Sequence, residues 1–184
     1  MYIRSHSKSA VKLEVQDIAN ITQHSQYLSQ IAHWSEEESM IPITFGSIAE
    51  HHLPTVVLAH TNEGVKLAGY SAITQIYSKY IIELGGLIVN PELRGMKVAQ
   101  QVVKRVVARA NEELEPDMIL AFSNKNSASI FQKLGGKVVA DATMLPAEVW
   151  KLCLNCKNYQ EAVIECGMNC CGRVYDITRI ETES

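Results

Sequence analysis

Residues 84–110 read LGGLIVNPELRGMKVAQQVVKRVVARA, and the change of pattern inside this stretch decides the fold. From Tyr80 to Asn90 the chain is almost wholly apolar, which suits a central strand covered on both faces. Between Pro91 and Pro116 the pattern changes. Val98, Val102, Val103, Val106, Val107, Ala110 and Leu114 recur at i, i+4 and i+7, with Lys97, Gln101, Lys104 and Arg105 on the other side, and that spacing predicts one long amphipathic helix. Valine is a middling helix former, so the helix must draw its stability from burying the stripe against a sheet. The link Pro91-Glu92-Leu93-Arg94-Gly95 makes a strand–turn–helix unit. The first amides of such a helix have no intrahelical acceptor and lie at the positive end of its dipole, which is the physics of an anion site. Many nucleotide folds share that logic, and so does an ordinary strand-to-helix connection.

Upstream, Ile18, Ile21, Leu28 and Ile31 predict a helix over Asp17 to Glu38 with Asp17 as its cap. A second short helix is expected around Ile48. Thr55 to His60 and Val65 to Tyr77 are expected to form a hairpin about the turn Thr61-Asn62-Glu63-Gly64. Downstream, Met118 to Phe122 makes a strand and Asn124 to Leu134 a shorter helix ended by Gly135-Gly136. Lys137 to Ala142 and Gly172 to Ile180 are the last two expected strands.

The 184 residues suit one domain over 1–184. A formal net charge of -3 and the absence of a basic excess argue against a nucleic-acid partner. No apolar run approaches the roughly 20 residues that span a bilayer, and the start of the chain lacks a signal-peptide stretch. No membrane association and a cytoplasmic location are therefore expected.

The stretch 84–110 resembles the cofactor-binding core of the GNAT acetyltransferases, whose pattern is Arg/Gln-x-x-Gly-x-Gly/Ala. Here it stands as Arg94-Gly95-Met96-Lys97-Val98-Ala99, with Lys97 in place of the usual glycine. The resemblance continues through Asn124-Lys125-Asn126-Ser127-Ala128-Ser129-Ile130-Phe131-Gln132-Lys133-Leu134-Gly135-Gly136, similar to the family's Asn-x-x-Ala-Ile-x-Leu-Tyr-x-Lys-Leu-Gly-Phe. It covers roughly residues 15 to 145. It implies an α+β (mixed α/β) fold with a central, mostly antiparallel sheet and helices on both faces. Acetyl-CoA is implied as co-substrate, with a primary amine as acceptor, either a small molecule or a protein, and a homodimer stands among the partner expectations. Carried over residue by residue, the amides of Arg94, Gly95, Met96, Lys97, Val98 and Ala99 hold the pyrophosphate. The backbone of Leu87, Ile88 and Val89 pairs with the pantetheine arm, and Asn124 contacts the cofactor near it. Lys97 either crowds the phosphates or pairs with them through its ammonium; pairing is preferred.

Glu83 interrupts an otherwise apolar strand, where burial would raise its pKa, and its place before the turn resembles that of the glutamate base in histone-type members. The bland alternative is a strand glutamate at a solvated end of the sheet. Gly85-Gly86 marks either a bulge that splays the neighbouring strands or a simple packing contact. Where many family members carry a tyrosine acid this chain has Phe131, so the thiolate leaves unaided or Tyr77, Tyr80 or Ser129 substitutes. His51-His52 falls where the family lines the acceptor side, although a surface loop is the preferred reading.

All five cysteines lie between Cys153 and Cys171. Cys153-x-x-Cys156 followed by Cys166, Cys170 and Cys171 has the spacing of a zinc knuckle, in which four of the five thiolates hold a structural ion. Reduced, packed thiols are the alternative. Residues 150–172 are read as a cysteine-rich insertion before the last strand. The functional expectation is acetyl transfer to an amine by direct attack. Its rival is a non-catalytic CoA-binding or zinc-stabilised module, favoured by Lys97 and Phe131.

Overall fold

The computed structural model describes residues 11–19, 24–37, 43–124, 126–141, 144–151 and 173–182. Within them the chain runs β1 (Lys12–Asp17), α1 (Ser25–Glu37), α2 (Phe45–Ala49), β2 (His52–Thr61), β3 (Gly64–Ile76), β4 (Ile81–Val89), α3 (Val98–Glu113), β5 (Met118–Ser123), α4 (Ala128–Lys133), β6 (Lys137–Val138) and β7 (Arg173–Asp176). Seven strands form one sheet in the order β1-β2-β3-β4-β5-β7-β6. Only β4 and β5 pair in parallel; the other neighbours are antiparallel. A parallel pair needs a long crossover, and α3 supplies it. This is the mixed, mostly antiparallel architecture that the family resemblance implies, with the apolar strand β4 at its centre.

The valine stripe packs as its period requires. Val98, Val102, Val103, Val106, Val107 and Ala110 are buried on α3, in one core with Ile82 and Leu84 of β4, Ile119 and Ala121 of β5, and Phe131 of α4. The opposite face carries a second core, in which Leu28 and Ile31 of α1 and Ile48 of α2 meet Val56, Tyr70 and Ile88. Helices therefore cover both faces. Ser35 in the last turn of α1 accepts a hydrogen bond from the Ile43 amide at 2.9 Å, tying the segment before α2 to that helix.

Three expectations need correction. The residues Asp17 to Glu38 do not form one helix: Lys12–Asp17 is an edge strand paired along β2, and α1 begins only at Ser25. Leu13 and Val15 alternate with Lys12, Glu14 and Gln16 there, which is the strand period. Asp17 is accordingly no cap. Its carboxylate takes the Arg105 guanidinium through Nε at 2.9 and 3.1 Å and through the terminal nitrogen, clamping α3 to the sheet, and the Arg105 hydrogen bond holds its pKa below the usual range. Among the described residues the strand expected over Lys137 to Ala142 is Lys137–Val138 alone, and the last strand is Arg173–Asp176, ending well before Ile180.

Truncating the stripe should be costly while changing the solvated side of the same helix should not. Val106→Ala is expected to lower the unfolding free energy by about 2 kcal/mol, and the exposed Glu112→Ala to change it by less than about 0.5 kcal/mol, in urea titrations.

Candidate active site

The site is built on a fork in the middle of the sheet. β4 and β5 pair through Ile81–Met118, Ile82–Ile119 and Glu83–Leu120, and no further. β4 continues to Val89 and β5 to Ser123, so beyond Glu83 the two carboxyl ends part and β4 presents an unpaired edge from Leu84 to Val89. Crevices outside the carboxyl ends of parallel strands are where open sheets bind ligands.

Bulges shape the other side of the fork. Between Tyr70–Ile88 and Ala72–Gly85 an extra residue enters β4, and between Ile73–Leu84 and Gln75–Glu83 an extra residue, Thr74, enters β3. Both readings of Gly85-Gly86 hold at once. Gly86 sits in the β4 bulge with φ +59, a conformation natural to glycine. Gly85 leaves room for a neighbour: a Cβ there would lie 2.5 Å from Thr74 Oγ1.

Glu83 stands where β4 leaves β5. Its side chain is half-buried, and burial pushes the carboxyl up to about 7, against the opposing effect of hydrogen bonds from the Tyr77 and Thr74 hydroxyls. Tyr77 donates to Oε2. A carboxyl with a pKa near neutrality can exchange a proton at physiological pH, which a solvated glutamate at about 4.3 does poorly. Because Ile82 and Leu84 point into the α3 core, Glu83 projects from the opposite face of the sheet.

At the end of β4 the chain turns through a 3-10 turn over Pro91–Leu93. Asn90, buried at its start, pins the turn: its amide and its side-chain Nδ2 donate to the Ala68 and Leu67 carbonyls at 2.8 and 3.2 Å, and its Oδ1 accepts from the Glu92 amide at 3.0 Å. Asn90 was not singled out from the sequence, although Asn-Pro is a turn-initiating pair. Gly95 follows with φ +84, and Lys97 takes φ +62 immediately before α3, with no side-chain cap on the helix. Among the described residues no side chain at the cap satisfies the amides that open α3. Lys97 stands where the backbone is left-handed, the conformation that explains the glycine usual in the family pattern.

Asn124 lies at the carboxyl end of β5, across the fork from β4. Its Oδ1 accepts from the Asn126 and Ser127 amides at 2.9 and 3.0 Å, organising the turn into α4. Phe131 is 2% exposed and packs in the α3 core against Tyr175, ring centroids 5.7 Å apart. Tyr77 is hydrogen-bonded to Glu83, while Tyr80 is exposed at the opposite, amino end of β4 and Ser129 is exposed on α4. The structure overturns the surface-loop reading of His51. It is half-buried behind α2, and its Nδ1 lies 2.7 Å from Tyr70 Oη; His52 beside it is exposed.

The expected metal ligands Cys153, Cys156, Cys166, Cys170 and Cys171 lie outside the described residues. Among the described residues no three His, Cys, Asp or Glu side chains are placed to hold a metal ion.

Residues 15–135 match the acetyltransferase (GNAT) family. The chain belongs to that family. Curated proteins yield no match, whereas solved structures share the GNAT fold. An acetyltransferase of the GNAT family from Staphylococcus aureus Mu50 superposes with a TM-score of 0.60 at 14% identity, over 90% of this chain and 99% of that one. Rv2747 from Mycobacterium tuberculosis, solved in complex with CoA, gives 0.58 at 14% identity over 88% and 96%. A predicted acetyltransferase from Clostridium acetobutylicum, solved with acetyl-CoA, gives 0.54 at 16% identity over 73% and 96%.

Left-handed backbone costs an ordinary residue on the order of 1 kcal/mol and glycine almost nothing. Lys97→Gly is therefore expected to raise the unfolding free energy of the ligand-free protein by about 0.5–1 kcal/mol, measured by denaturant titration, while Lys97→Val lowers it.

Proposed function

We propose that this GNAT protein is an N-acetyltransferase that moves an acetyl group from acetyl-CoA to a primary amine by direct attack, with Glu83 as general base. Family membership supports acyl transfer from acetyl-CoA, and neighbours of the same fold are described with CoA or acetyl-CoA bound. The observation that carries the finer reading is Glu83 itself: a carboxyl poised near neutrality at the mouth of the fork.

In this reading the amides of Arg94 to Ala99 hold the pyrophosphate, with the Lys97 ammonium beside it, because the turn leaves the first helical N–H groups uncapped. The free edge of Leu87, Ile88 and Val89 hydrogen-bonds the pantetheine arm, and Asn124 borders it from β5. The thioester supplies an activated acyl carbon. Glu83 removes one proton from the acceptor ammonium, the amine nitrogen bonds that carbon and gives up its second proton to solvent, and the C–S bond breaks to release the thiolate. Phe131 donates no proton to it. Tyr77 and Thr74 hold the Glu83 carboxylate in place and limit how far burial raises its pKa.

An acceptor screen with thiol detection, over small amines, free peptide N-termini and lysine peptides, tests this reading. The wild type is expected to release CoA with at least one acceptor. Since only the ionised carboxylate accepts a proton, turnover should rise tenfold per pH unit below about pH 7 and level off above it. Glu83→Gln should lower kcat by about 10²–10⁴-fold and abolish that inflection. Unchanged turnover in Glu83→Gln would retire the base; tight CoA binding with no transfer to any amine would favour the non-catalytic reading, for which the buried Phe131 speaks.

Structural zinc remains part of the proposal on cysteine spacing alone. Elemental analysis of freshly reduced protein is expected to find one zinc per chain, lost in Cys153→Ser with Cys156→Ser; metal-free wild type discards the site.

A further inference from the structure

His51 and Tyr70 form a polar pair inside an apolar neighbourhood. Tyr70 on β3 is 0% exposed and packs with Ile43, Ile48 and Ile88. Its hydroxyl meets His51 Nδ1 at 2.7 Å. The proton in this contact can be assigned from burial. If His51 Nδ1–H were the donor, the phenol proton of Tyr70 would be left without an acceptor in a closed core, which costs about 1–3 kcal/mol. Tyr70 therefore donates, Nδ1 accepts, and the imidazole proton sits on Nε2. Burial pushes His51 down to about 4, with His52 adding to the effect, so the ring is a neutral donor at physiological pH. His51 Nε2 has no partner among the described residues.

The pair packs against the bulge of β4. Gly86, at the β4 bulge, has no side chain, and a Cβ on it would lie 3.2 Å from Tyr70 Cε1, 3.5 Å from Ile43 Cδ1 and 3.8 Å from His51 Cε1. Tyr70, Ile43 and His51 thus fill the volume that a side chain at 86 would need, which brings the Cε1 edge of the imidazole against β4 on the face of the sheet from which Glu83 projects. The backbone that carries His51 is itself held in an uncommon state: Leu53 takes φ +51 where β2 bulges between the His52 and Thr55 pairs. Strain of this kind persists only where the surroundings over-determine it, and it clusters at sites that position a ligand.

We propose that His51, set in its Nε2–H tautomer by Tyr70, donates a hydrogen bond to the acyl carbonyl oxygen of the bound thioester beside the Gly86 bulge. This rests on the cofactor reading above: an arm laid from the opening of α3 along the free edge of β4 passes Val89, Ile88 and Leu87 and reaches Gly86 before Glu83. A neutral donor at that oxygen orients the carbonyl and strengthens its hold as negative charge gathers there, without the reorganisation that water would need. Tyr70 is a positioning residue.

The test compares acetyl-CoA with CoA, which differ by the carbonyl. Calorimetry on the full chain is expected to show His51→Leu weakening acetyl-CoA by about fivefold and leaving CoA unchanged, the worth of one ordinary hydrogen bond. His51→Gln, which keeps a donor near the position of Nε2, should recover part of the difference. Nitrogen-15 spectra of the wild type should show the Nε2–H tautomer unchanged between pH 8 and pH 5.5, and Tyr70→Phe should disturb that signature and weaken acetyl-CoA selectively. An Nδ1–H tautomer, or equal losses of both ligands in His51→Leu and His51→Gln, overturns the inference while leaving the cofactor site standing. A wild type that binds neither ligand sinks the cofactor reading and this inference with it.

Discussion

Everything at this site depends on β4 and β5 ceasing to pair after Glu83 and Leu120. A strand edge opened in the middle of a sheet exposes backbone donors and acceptors that would otherwise be satisfied by a neighbour. Such an edge costs free energy unless water or a ligand meets it, and a ligand that meets it must be extended and carry amides of its own. The turn after Val89 sets where that free edge ends. Asn90 ties the turn back to β3, and the left-handed backbone at Gly95 and Lys97 delivers the chain into α3 with its first amides uncapped. In the proposed reading fork and turn are one device: the same strand supplies an edge for a thin arm and an anchor for a charged end.

The two faces of the sheet divide the work. The α3 face is sealed by valines and by Phe131, which packs against Tyr175. The opposite face is apolar as well, yet four side chains interrupt it around the bulges of β3 and β4: Glu83, Thr74, His51 and Tyr70. Low polarity raises the carboxyl and keeps the imidazole neutral. One environment thereby raises a carboxyl and lowers an imidazole, with no charged partner required for either.

Much of this architecture was legible in the sequence. The α3 stripe and the hairpin of β2 and β3 follow from local periods that burial then enforces, and the glycines of β4 announce an irregular strand. What was missed is non-local. Asp17 looks like a helix cap to its neighbours in sequence; its actual partner, Arg105, is 88 residues away. β1 escaped notice because six residues of alternation carry little signal in a polar stretch. His51 is an unremarkable histidine until the fold brings Tyr70, 19 residues on, against it. The partners of Glu83 were equally hidden, since Tyr77 and Thr74 reach it only across a bulged pairing. The base candidate itself was visible as a lone charge in an apolar strand.

The fit between Thr74 and Gly85 has a consequence for how this surface can change over time. The hydroxyl that steadies the Glu83 carboxylate occupies the volume that any side chain at position 85 would need. The two positions cannot drift independently: a lineage that acquires even a methyl group at 85 must first shrink or turn aside the residue at 74, and in doing so it loosens its hold on the carboxylate. Descendants of this chain should therefore vary at these two sites together, as a matched pair.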